Sequence, residues 1–229
     1  MEAPVGHDLN ADQIAYWNGP GGQRWADRQQ SQDILLAPVA DLLMERARPV
    51  AGERVVDVGC GSGAVSIALA QKVGPGGHVL GIDISGPMLA RARQVAPAGL
   101  PVEFVLADAT VYPFAPASFD LLASRFGVMF FAEPARSFAN LRRGMKPSGR
   151  LAFACWPCNL SLDVAVGRGL DAAVQGALEI GPAARALAEQ PPEVVAAATN
   201  SIREALAPLV RGQTVPLPAA IWIVTAKAS

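Results

Sequence analysis

The handover from strand to turn to helix near residue 55 most constrains the fold. Arg54-Val55-Val56-Asp57-Val58 is a short β-branched run, and Gly59-Cys60-Gly61-Ser62-Gly63 follows at once. Val65, Ile67, Ala68, Leu69 and Val73 then recur at helical spacing until Gly74-Pro75-Gly76-Gly77 stops them. β-branched residues suit a pleated, buried strand, and glycine and proline punctuate. The alternation continues, with strands expected over His78–Asp83, Val102–Leu106, Phe119–Ser124 and Arg150–Ala154 and helices over Pro87–Val95 and Glu133–Met145. Strand and helix at this spacing imply βαβ units, hence a doubly wound, mostly parallel α/β sheet with helices on both faces.

The two ends read differently. Residues 1–30 are polar, with Tyr16, Trp17 and Trp25 around a turn expected at Gly19-Pro20-Gly21-Gly22, and Leu35 to Ala47 shows helical spacing up to Pro49. Lys146-Pro147-Ser148-Gly149 suits a type I turn. Asp163–Val210 is Ala-rich and reads as helix, broken at Gly181-Pro182 and Pro191-Pro192, and Ala220–Ala226 reads as a last, antiparallel strand.

Composition narrows the function classes. A chain of 229 residues, 51% hydrophobic and 17% charged, can bury a core without metal or disulfide staples. Nineteen Lys+Arg against twenty Asp+Glu, with no basic run, argue against a nucleic-acid partner. The most apolar stretch, Leu121–Ala132, is interrupted by Arg125 and is too short to span a bilayer, so no membrane partner is expected. No basic-then-apolar leader is evident, and three cysteines make no disulfide framework, so the expected compartment is the cytoplasm.

The loop is G-x-G-x-G, neither the G-x-G-x-x-G of dinucleotide binders nor a P-loop, since no Gly-Lys-Ser/Thr follows. Asp57, two residues before the first glycine, would repel a pyrophosphate and suits a ligand carrying an ammonium group. Asp83 ends the second strand, twenty residues beyond Gly63. It either accepts from ribose hydroxyls or starts the helix at Ser85-Gly86-Pro87. Asp108 ends the third strand and either accepts from an adenine amino group or caps the turn Asp108-Ala109-Thr110. In an open α/β sheet the carboxyl ends of the strands are where ligands bind. No general base stands out: His7 and His78 read as solvent-facing or structural, so no catalytic residue is assigned. Arg125 either holds an anionic substrate or pairs with a carboxylate.

These residues resemble class I S-adenosylmethionine-dependent methyltransferases, in particular the branch similar to ubiquinone/menaquinone biosynthesis methyltransferases, over Asp12–Pro157 and the final strand. The resemblance implies a Rossmann-like fold, S-adenosylmethionine as cofactor, S-adenosylhomocysteine as product, no metal, and a small organic methyl acceptor. It places Asp57, Gly59, Cys60, Gly61 and Gly63 at the methionine part of the cofactor and Asp83 at the ribose. Asp108 with Ala109 lies by the adenine, Ile84 and Met88 flank the adenosine, and the stretch Ser124-Arg125-Phe126-Gly127-Val128-Met129-Phe130-Phe131 borders cofactor and substrate. Tyr16-Trp17 and Arg24-Trp25 resemble a lid, where Tyr16, Trp17 and Trp25 either face the sulfonium, worth roughly 0.5–2 kcal/mol, or anchor a helix.

A single domain over 1–229 is expected: an N-terminal helical lid over 1–50, a cofactor-binding core over 51–157, and a shortened helical segment with the final strand over 158–229. A segment usual in the family after the fifth strand is missing, which leaves an open sheet edge and suggests a homodimer. Two other functions stay open. One is a non-catalytic S-adenosylmethionine-binding protein. The other is a thiol oxidoreductase using Cys155 and Cys158 of Cys155-Trp156-Pro157-Cys158.

Overall fold

The computed structural model describes residues 10–155, 160–179, 182–219 and 221–227. His7, Trp156, Pro157, Cys158, Gly181 and Ala220, named above, lie outside these ranges. Helices α1 (Ala11–Asn18), α2 (Pro20–Asp27) and α3 (Gln29–Ala47) precede β1 (Arg54–Val58), α4 (Ala64–Val73), β2 (His78–Asp83), α5 (Gly86–Val95) and β3 (Val102–Leu106). Then come β4 (Phe119–Arg125), a 3-10 turn at Gly127–Phe130, α6 (Pro134–Gly144) and β5 (Met145–Cys155). The remainder is β6 (Leu160–Asp163), α7 (Gly169–Glu179), α8 (Pro182–Leu187), α9 (Pro192–Leu206), β7 (Pro216–Ala219) and β8 (Trp222–Lys227).

The chain divides into two compact units. The first comprises Met1–Gln29, Val39–Trp156 and Trp222–Ser229, and the second Gln30–Pro38 with Pro157–Ile221. The first holds a six-stranded sheet in the order β3-β2-β1-β4-β5-β8. All of its pairings are parallel except β5 with β8. This is the doubly wound, Rossmann-like architecture with an antiparallel last strand. Alternate residues of the central strands feed opposite cores. Val55, Leu121 and Ala123 pack with Leu69 and Leu43 on one face. Val56, Val58 and Leu122 pack with Leu141 and Phe119 on the other. Each fully buried Val, Leu or Phe contributes roughly 1.5–3 kcal/mol. Winding reverses between β1 and β4, which opens a crevice at their carboxyl ends.

Four expectations are corrected. Only Gly19 links α1 to α2, because Pro20 begins a helix and Gly21 and Gly22 are buried in its first turn. A side chain on Gly22 would come within 1.8 Å of the Trp17 carbonyl oxygen, so the bare glycine serves helix crossing rather than a turn. Helix α3 starts at Gln29 and runs through Pro38. Lys146–Gly149 stays within β5 as a bulge, where pairing slips from Phe119↔Met145 to Leu121↔Arg150 and leaves three extra residues on β5. The segment after residue 160 is not all helix. In the second unit β6 and β7 form an antiparallel pair, from Leu160↔Ala219 to Asp163↔Pro216. The helices end near the expected Pro breaks, with Pro192 opening α9, and pack Ala173, Val174 and Leu206 around Ala165 and Val215. Strand β8 begins at Trp222 and pairs with β5 along one side, while Trp222 and Val224 are exposed.

Candidate functional site

The glycines of the β1–α4 loop adopt backbone that other residues resist. Gly59, Gly61 and Gly63 all have positive φ, at 67°, 56° and 87°. Their bareness also has a packing cause. A Cβ on Gly59 would stand 2.5 Å from Gly127 Cα, one on Gly61 2.8 Å from Met88 Cε, and one on Gly63 3.0 Å from Ala92 and Phe104. The β1 and β4 loops therefore touch at Gly59 and Gly127, across the point where the winding reverses. Phe126 carries a left-handed φ of 69° just before Gly127. Such backbone costs about 1–3 kcal/mol and persists where the surroundings impose it.

Ser124 fixes this junction from below. It is fully buried, donates to Val58 O at 2.7 Å, and accepts from the Gly127 and Val128 amides at 3.1 and 3.3 Å. Ser124 thus ties β1 to the 3-10 turn and does not line the cleft.

Asp83 fulfils both readings of its position. Its carboxylate accepts from the Gly61 amide at 2.7 Å and the Ser85 amide at 2.8 Å, so it props the glycine loop and the start of α5 together. The helix cap itself is Ser85, whose Oγ accepts from Met88. Burial pushes the Asp83 carboxyl up, and the amides of Ser85 and Gly61 pull it back. Asp108 caps the Thr110 amide at 2.8 Å and also accepts from Asn10 Nδ2 at 2.8 Å.

Asp57 lies beneath the loop, 1% exposed, and not on the cleft wall. Ser66 donates to its Oδ2 at 2.6 Å, while Oδ1 is buried without a partner among the described residues. Burial raises its pKa to about 6, against the pull of Ser66 and the field of Arg125. The last influence agrees with the reading of Arg125 as a carboxylate's counter-charge. Cys60 is buried, and burial with Asp83 and Asp57 nearby pushes its thiol well above the ordinary range. A thiol held protonated is a packing group, not a nucleophile.

The cleft opens onto about 390 Å3 of space, solvent at its mouth included. Gly59, Asp83, Ile84, Asp108 and Ala109 line it, whereas Gly61, Gly63 and Met88 are not among its lining residues. Asn10, Gln13, Gly127, Phe130 and Phe131 line it too. No sequence signal singled out Asn10 or Gln13, which come from a polar segment about a hundred residues from Asp108. Tyr16 and Trp25 do not reach the cleft. They pack edge-on against Trp17, at 5.1 and 6.1 Å, and Trp17 packs on Phe130 at 5.5 Å. This geometry is that of a helix anchor, and Phe130 joins the cluster to the cleft. Asn18 stitches the same helix to the β2–α5 loop, donating to Ile84 O at 2.8 Å and accepting from the Gly86 amide at 2.9 Å. Cys155 ends β5 in register with Trp222 and is not at a helix N-terminus, and its partner in the C-x-x-C motif lies outside the described residues.

The donor set tests the implied cofactor. The cleft offers acceptors at Asp83 and Asp108, a bare backbone at Gly59 and, at Asn10, a side-chain carbonyl with no partner among the described residues. Such a surface suits a ligand rich in hydroxyl and amino donors, as a nucleoside is. Comparison with known proteins agrees. The methyltransferase-domain family profile matches residues 55–149. The chain is similar to demethylmenaquinone methyltransferase of Clavibacter sepedonicus, 43% identical over 46% of this chain and 42% of that protein. It is also similar to nocamycin O-methyltransferase of Saccharothrix syringae, 38% identical over 51% of this chain and 42% of that one. The chain thus spans about half the length of the curated relatives it matches. Among solved structures, the [4+2]-cyclase SpnF shares the fold at a TM-score of 0.53 and 22% identity, over 83% of this chain and 79% of that one.

Proposed function

We propose that this chain transfers the methyl group of S-adenosylmethionine to a small organic acceptor. The observation that carries the reading is the cleft at the winding reversal, where Asp83 and Asp108 flank the bare backbone of Gly59. When bound, the cofactor supplies a methyl already activated on a sulfonium. What is left to the protein is alignment and exclusion of water. Asp83, anchored by two amides, keeps lone pairs for ribose hydroxyls. Gly59 and Gly127 hold the two loops in fixed relation, and Phe130 and Phe131 supply an apolar wall.

Among the described residues lining the cleft, the only ionisable groups are Asp83 and Asp108, and this reading gives both to the cofactor. The favoured acceptor is therefore one that brings its own acidic proton, such as a phenol, a quinol or a carboxylic acid. The test is formation of S-adenosylhomocysteine when S-adenosylmethionine is supplied with each acceptor class at pH 7 to 9. Turnover should rise as the acceptor ionises, and turnover with amines alone would contradict the choice.

A second reading, cofactor binding without methyl transfer, is favoured by the absence of a further ionisable group among the described lining residues and by a cyclase sharing the fold. It predicts tight S-adenosylhomocysteine binding with no turnover on any acceptor. The cytoplasm is the proposed location, on the count of three cysteines in the sequence, too few for a disulfide framework. A homodimer through the exposed flank of β8 is likewise proposed, and a monomeric mass in light scattering at micromolar concentration contradicts it.

A further inference from the structure

We propose that Asn10 is the residue by which the N-terminal segment selects adenine, its side-chain carbonyl accepting from the exocyclic amino group. The inference rests on the cofactor reading above. Asn10 directly precedes α1 and its main-chain carbonyl accepts the Ile14 amide at 2.9 Å, so the start of the helix fixes where its side chain stands. The residue is 6% exposed and lines the same cleft as Asp83 and Asp108. Its Nδ2 donates to Asp108 Oδ2 at 2.8 Å and more weakly to Thr110 Oγ1 at 3.4 Å. Its Oδ1 is buried and has no partner among the described residues.

A buried carbonyl without a donor is costly, and whatever relieves it must bring an N–H or O–H into the space beside Asp108. An exocyclic amine carries two N–H bonds. One serves Asp108 and the other Asn10 Oδ1, so a single amino group satisfies acceptors from two elements far apart in sequence. The second hydrogen of Nδ2, which makes only the long 3.4 Å contact to Thr110 Oγ1, can turn instead to a ring nitrogen beside that amine. An asparagine amide set against the amino and ring-nitrogen edge of adenine is a familiar bidentate pairing. A 6-oxo purine would instead present an oxygen to two oxygens. Sites built to hydrogen-bond a polar group reject analogues lacking it far more strongly than apolar pockets reject a methylene.

The experiment titrates S-adenosylhomocysteine and its 6-oxo analogue, S-inosylhomocysteine, into the parent, Asn10→Ala and Asn10→Ser. The serine variant keeps an oxygen at the helix start, and the melting temperature of each variant reports folding. The parent should prefer the adenosyl ligand by about a hundredfold or more, and both variants should lose about tenfold of that preference. An unchanged preference in a folded variant that still binds would overturn the role of Asn10. Tighter adenosyl binding by the variants would overturn it as well, since Asn10 would then be competing with adenine for Asp108. Failure of the parent to bind S-adenosylhomocysteine would remove the cofactor reading itself, and with it this inference.

Discussion

The floor of the cleft and the cap above it are built on different principles. The floor, from β1 to the carboxyl ends of β2 and β3, is held by backbone geometry: three positive-φ glycines, a glycine–glycine contact between loops, and a carboxylate receiving two amides. The cap, α1 and α2, is held by side chains, chiefly the Tyr16–Trp17–Trp25 cluster and the amide of Asn18. A floor of this kind tolerates almost no added atom. A cap of this kind can loosen one bond at a time.

The largest expected effect tests the floor. Gly59→Ala adds a left-handed residue and a clash with Gly127 Cα, together about 3 kcal/mol. For a chain of this size that lowers the melting temperature by roughly 6–12 °C. Gly99→Ala is the control, since Gly99 has a φ of 83° with nothing within 4 Å, so it should lose only the backbone part. Equal losses at the two positions would mean that the loop contact carries no weight.

The next effect concerns what lies beneath the floor. Asp57 has a folded pKa raised to about 6, above an unfolded value of about 3.9. The folded state therefore holds an extra proton between those values, and this residue's contribution falls as pH rises from about 4 to about 6. The loss is on the order of 3 kcal/mol. Asp57→Asn removes that dependence, so urea midpoints of parent and variant should diverge over this window, with the variant the more stable above pH 6. Parallel midpoints would show that Asp57 ionises without cost. Glu53 has the opposite sign. Burial raises its pKa, but the bonds from Arg150 and the Val50 amide more than offset this and leave it lowered, so it supports stability above the ordinary carboxylate range. Comparison with the variant cancels that background.

The smallest effect tests the cap. Asn18→Ala removes the donor to Ile84 O and the acceptor for Gly86, which contribute about 1 kcal/mol each. Hydrogen exchange should speed up in α1 while β1 and β2 stay protected. Uniform acceleration through the sheet would mean that cap and floor unfold as one.

The same contrast explains what the sequence made legible. Strands β1, β2 and β3 fall on the expected residues because a parallel strand buried on both faces must be a β-branched run. The Asp57, Asp83 and Asp108 positions were readable because the ends of such strands are defined by the runs themselves. Gly127 stood in a stretch marked by resemblance, but a lone glycine after a strand does not announce the loop that it will touch. Asn10 and Gln13 were not readable, and for Tyr16 and Trp25 the sequence left both of its readings open. Their contacts depend on how α1 crosses α5 and the 3-10 turn, which no local periodicity encodes. The β6–β7 pair was hidden for a similar reason. Pro216 and Pro218 disfavour a central strand, and only an isolated two-stranded pair accommodates them.

The most direct measurement is a calorimetric titration of the parent and Asp83→Asn with S-adenosylhomocysteine, each first shown to be folded by its melting curve. The Asp83 carboxylate should receive ribose hydroxyls, and charged hydrogen bonds of this kind contribute about 1.5–3 kcal/mol each. The account predicts binding by the parent and at least about a tenfold loss in the variant. No heat with the folded parent, or equal affinity in the two proteins, would contradict the assignment of this cleft to the cofactor.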